Sequence, residues 1–142
     1  MLPLSAGVGV AAMHFPSMFY WSSSVLCFCA LLAHELLGAP MVLPPLLESG
    51  LSGEVIWLHH FSWHVGSVAT AGMIAMYISA ARKPENRTMA WIATAMSFGF
   101  AILGIGLAIH SDGALWRTPA PYIWSVLSIL GTIGIVTQRR TG

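Results

Sequence analysis

Charge is what this sequence has least of. Its 142 residues include six Lys or Arg and five Asp or Glu, a charged fraction of 8%, where a soluble domain carries about a quarter. Too few side chains suit water to cover a folded surface, which excludes a soluble globular enzyme. A net charge of +1 leaves no basic patch for nucleic acid, and a hydrophobic share of 56% excludes a disordered regulator. Cysteine is nearly absent. Cys27 and Cys29, two apart in an apolar run, point to nearly opposite helix faces and cannot be bridged, so both read as small buried hydrophobes. What remains is an integral membrane protein, in keeping with a mean hydropathy of +0.76.

Long apolar runs are what the sequence has instead. Crossing the hydrocarbon core takes about 20 mostly apolar residues, and four such runs fit: about 19–38, 55–80, 89–109 and 121–137. Pro40 and the Pro44-Pro45 pair are expected to close the first, because proline cannot continue an α-helix. Pro119 and Pro121 suit the start of the fourth. None of the runs alternates between apolar and polar residues, so they read as helices rather than barrel strands. The expected fold is all-α: one domain over residues 1–142, an integral membrane four-helix up-and-down bundle. Residues 1–18 form an N-terminal arm. Its stretch Met1–Met13 lacks the basic opening of a signal peptide and reads as an interfacial segment, with Met13 and Met18 as alternative starts.

The few charges orient the bundle. Arg82, Lys83 and Arg87 fall between the second and third runs, and Arg139 and Arg140 follow the fourth. The positive-inside rule makes that end cytoplasmic, with both termini inside. Glu48, Glu54, Asp112 and Arg117 fall on the opposite side. This predicts a multi-pass protein of a bacterial inner membrane. Small residues at Gly66, Thr70, Gly99 and Gly104 offer helix faces for other membrane subunits or a second copy.

One carboxylate lies inside a span: Glu35. His34 is its neighbour in the outer half of the first run, His60 and His64 share a face of the second at i, i+4, and His110 closes the third. An ionised group at mid-helix costs roughly 2.5–3.5 kcal/mol on insertion scales, so such a group faces a partner or a cavity. A purely structural account is a polar network of Glu35, the imidazoles, Ser62, Ser67 and Thr70, its contacts worth about half a kcal/mol each. A metal account takes His34, Glu35, His60 and His64 as a four-donor set for zinc, copper or iron. A tetrapyrrole account takes histidines as axial ligands of haem or bacteriochlorophyll. Gly66, Ser67, Gly104 and Gly106 would then make room for the ring, and Arg117 would meet a propionate. A proton relay fits less well, because no ionisable residue continues it between Gly66 and Ala81.

Read from Leu31, LLAHELLGAPMVLPPLLESGLSGEVIWLHHFSWHVGSV carries His34, Gly38, Pro45-Leu46-Leu47, Trp63-His64 and Gly66-Ser67. It resembles a recurrent type of small bacterial four-helix membrane protein. These have a histidine and glycine on helix one, a Pro-Leu-Leu exit, and a Trp-His pair before Gly-Ser on helix two. The resemblance implies His34 and His64 as the positions to mutate first.

The expected function is a membrane subunit or accessory protein with an outer-leaflet histidine site for haem, a pigment or a metal. The alternatives are a membrane enzyme acting on a lipid or quinone through Glu35 and His64, and a structural subunit of a respiratory or photosynthetic complex. None involves nucleic acid.

Overall fold

The computed structural model describes residues 15–141, which are helical apart from short turns, with no strand among them. The arm expected before residue 15 and His14 lie outside the described residues. Helix α1 (Phe15–Ala33) runs through a π-helical turn (His34–Gly38) into α2 (Ala39–Leu47). Then follow α3 (Gly53–Arg82), α4 (Arg87–His110) and α5 (Ala120–Thr141), with 3-10 turns at Pro84–Asn86 and Ala114–Arg117. Four stretches, Ser17–Leu47, Gly53–Arg82, Pro84–His110 and Ala120–Arg139, are each long and apolar enough to cross a membrane. That is the composition of a multi-pass membrane protein.

The first helix corrects the sequence reading. It begins at Phe15 rather than near residue 19, and it passes Pro40 to end at Leu47. The π turn explains the passage. The Ala39 N–H bonds the His34 carbonyl five residues back, and this wider turn brings in Pro40 at the start of α2, where a missing N–H costs nothing. Pro44 and Pro45 lie inside the last turns of α2, close to where the helix stops anyway. The other three helices start and end within a few residues of expectation.

Each helix lies beside its neighbours in sequence, and α5 returns to α1, which closes the ring α1–α3–α4–α5. Beyond the π turn, α2 leans chiefly on α3. The turns that allow this are short. Gly50 takes a φ of 74° between α2 and α3, and Gly113 a φ of 80° between α4 and α5, a left-handed conformation that glycine adopts without strain.

The buried centre lies towards the Arg82–Arg87 turn and includes Tyr20, Cys27, Met73, Tyr77, Leu127 and Ile135. It is partly polar. The Tyr20 hydroxyl donates to Gln138 Oε1 at 2.9 Å, and Gln138 Nε2 donates to the Pro84 carbonyl at 3.0 Å. The Tyr77 hydroxyl lies 3.3 Å from Thr94 Oγ1 and 3.4 Å from Ser97 Oγ. Two glycines of α5 make space for these rings. A Cβ on Gly134 would stand 2.5 Å from Tyr20 Cε1; one on Gly131 would stand 2.9 Å from the Tyr77 hydroxyl and nearer still to that of Thr94.

Cys27 is buried and Cys29 exposed, both free, in keeping with their opposed directions. Most of the small residues read as an association surface serve the bundle itself. Thr70 is buried, Gly104 would meet the Pro121 backbone at 3.3 Å and Gly66 faces His34, while Gly99 alone has open space beside it. Arg82, Lys83, Arg87 and Arg139 gather at one end of the bundle, where Gln138 ties α5 to the Pro84 turn. Glu48, Glu54, Asp112 and Arg117 lie at the other.

Candidate functional site

The π turn delivers two consecutive ionisable residues to the α1–α3 contact. Neighbours on a helix point about 100° apart, so His34 and Glu35 cannot aim at the same spot. His34 lies flat on the Trp63 indole, ring centroids 4.0 Å apart and planes 9° apart, with Nε2 3.3 Å from the Trp63 carbonyl. The other face of the turn makes this stack possible. A Cβ on Gly38 would come within 3.0 Å of the Trp63 ring, and Gly66 leaves 4.0 Å to His34 Nε2.

Glu35 reaches α3 one turn deeper. Its Oε1 accepts a hydrogen bond from the Ser67 hydroxyl and lies 3.4 Å from His64 Nδ1. Ser67 and His64 are three apart and Trp63 is four before Ser67, so one stripe of α3 carries every partner of the π turn. Fixed by two partners, the carboxylate holds the imidazole by its Nδ1–H and leaves Nε2 as a free lone pair. The His64 side chain is 55% exposed and that of Glu35 33%. Beside His64, a shallow depression of about 350 Å³ is lined by Phe61, His64, Val65, Val68 and Ala69. An imidazole with a carboxylate behind it and hydrocarbon around it can act as a ligand to a metal centre or as a base.

The remaining candidates stand apart from this pair. His60 lies on the His64 stripe, but a helix rises 1.5 Å per residue, so it sits roughly 10 Å along the axis from Ser67 and out of reach of Glu35. It faces the Trp57 ring instead, centroids 5.0 Å apart. The His60 Nε2 and Trp63 Nε1 atoms are buried without a hydrogen-bond partner among the described residues. His59 is exposed and donates from Nδ1 to the Val55 carbonyl at 2.8 Å. His110 and Arg117 are exposed at the end of α4 and in the following 3-10 turn, with no hydrogen bond to the Glu35–His64 pair. Among the described residues, no three His, Cys, Asp or Glu side chains converge on a point that could hold a metal ion. The four expected metal donors therefore separate into one carboxylate–imidazole pair, one stacked imidazole and one imidazole further out.

Sequence reasoning missed Trp63 as the partner of His34 and Gly38 as the residue that admits it. The signal was present: a glycine four residues after a histidine leaves a notch on one helix face, open to a large ring from the next helix. No known protein family, curated protein or solved structure matches the chain.

Proposed function

We propose that the protein is a small subunit of a bacterial cytoplasmic membrane in which His64 is the single axial ligand of a tetrapyrrole, a haem or a bacteriochlorophyll-type ring. The observation that carries this is the Glu35–His64 pair at the edge of an apolar depression. A histidine ligand to a metal commonly donates its second ring N–H to a carboxylate, which fixes its tautomer and strengthens it as a donor. Glu35 and Ser67 supply that support, and Phe61, Val65, Val68 and Ala69 offer the apolar wall against which a ring face rests. A ring whose own nitrogens fill most of the coordination sphere needs one imidazole from the protein, whereas a tetrahedral ion needs three or four converging donors. The basic end around Arg82 and Arg87 favours the cytoplasmic side for both termini, which puts His64 in the outer leaflet.

A second reading rests on the same pair. A carboxylate-held imidazole with a free Nε2 is a general base, so His64 and Glu35 would serve a membrane enzyme acting on a lipid or quinone.

Absorption spectroscopy and metal analysis of the protein purified in mild detergent separate the two. The expected result is a Soret or bacteriochlorophyll band at about one ring per chain, lost in His64→Ala and weakened in His34→Ala. A colourless preparation that gains no band when titrated with haem or bacteriochlorophyll would overturn the tetrapyrrole reading and leave the acid–base one.

A further inference from the structure

A second cleft lies at the opposite end of the bundle, far from His64. The first turns of α4 contribute Arg87, Thr88 and Trp91, which share one face at i, i+1 and i+4. The last turns of α5 contribute Ile135, Gln138 and Arg139. Together they enclose about 260 Å³. Arg139 is held in place by Trp91, its guanidinium carbon 4.9 Å from the indole centroid. Neither Arg87 nor Arg139 makes an ion pair with an acidic side chain among the described residues; Glu85, in the turn before α4, pairs with neither. The Asn86 side chain caps none of the α4 N–H groups, and the helix dipole adds partial positive charge at the same point.

We infer that this cleft binds the phosphate of an anionic phospholipid headgroup. Two guanidinium forks match phosphate oxygens in geometry and charge, and the Thr88 hydroxyl is a third donor. Basic pockets between spanning helices at the charged membrane face are a recurring way to hold acidic lipids. The walls argue for a lipid rather than free phosphate. Trp91, 44% exposed, and Ile135 continue the cleft towards the apolar part of the spans, where an acyl chain runs.

The test uses the full chain in nanodiscs of phosphatidylcholine doped with phosphatidylglycerol, with bound lipid counted by native mass spectrometry. Wild type is expected to retain phosphatidylglycerol. R87Q/R139Q should bind it roughly thirty-fold more weakly, about a factor of five for each arginine at a membrane surface. R87K/R139K keeps the charge but loses the forks and should fall between the two. Lys83→Gln, a basic position at the same end outside the cleft, should leave retention unchanged. Equal retention by wild type and R87Q/R139Q, or an equal loss in Lys83→Gln, would overturn the site. Displacement of the lipid by millimolar inorganic phosphate would reassign the cleft to a free phosphate.

Discussion

Gly131→Val should cost the bundle about 3 kcal/mol or more, at the upper end of what overpacking does to a well-filled interior. The new side chain has nowhere to go. Its Cβ alone would press on the hydroxyls of Tyr77 and Thr94, and Tyr77 is fully buried in the bundle centre. Neither ring nor hydroxyl can withdraw without breaking the contacts among Tyr77, Thr94 and Ser97. Gly99→Ala is the matched control. Nothing lies within 4 Å of that position, so the change only improves helix propensity, by roughly 0.5–1 kcal/mol. Denaturant or thermal titration of helicity in detergent measures both, and similar midpoints for the two variants would refute the close approach of α5 to Tyr77.

Glu35→Ala should weaken ring binding at His64 by about 10- to 100-fold, the usual cost of removing a carboxylate that orients a ligating histidine. Its effect on folding should be small, since contacts of this type between spanning helices average about half a kcal/mol. The contrast between those two readouts is the diagnostic. If Glu35 only holds α1 to α3, its loss lowers the unfolding midpoint and leaves haem or bacteriochlorophyll titrations unchanged. If it orients His64, the titration moves and the midpoint hardly does. Ser67→Ala, which removes the hydroxyl donating to the same oxygen, should move the titration in the same direction by less.

Much of the architecture was legible in the sequence. Four apolar runs of spanning length can do little other than cross a membrane, and their short connections leave an up-and-down ring as the simple solution. The end of the first helix was not legible. Proline stops an α-helix by its missing N–H and its ring, but a single π turn re-spaces the carbonyls, and only the backbone shows where that happens. Glu35 and His64 were found by asking which polar groups are costly in hydrocarbon. Their rotation about the helix axes was hidden, and that rotation separates His34 and His60 from the pair. The Tyr77 centre was hidden for another reason. Ser97 and Ser128 each donate to a carbonyl four residues back, at 2.9 and 2.7 Å, and so satisfy themselves within their own helix. Such residues pass as apolar in a hydropathy reading. Gly131 and Gly134, three apart on one face of α5, were the available sign that large side chains approach there.

The depression beside His64 faces outward from α3, walled by Phe61, Val65 and Val68, rather than opening at either end of the bundle. Any ring that reaches Nε2 then arrives sideways, already dissolved among the acyl chains. Its occupancy should follow the mole fraction of ring per lipid and stay constant when protein and membrane are diluted together in buffer. A partner that buries this flank would trap the ring by closing its only route back into the bilayer.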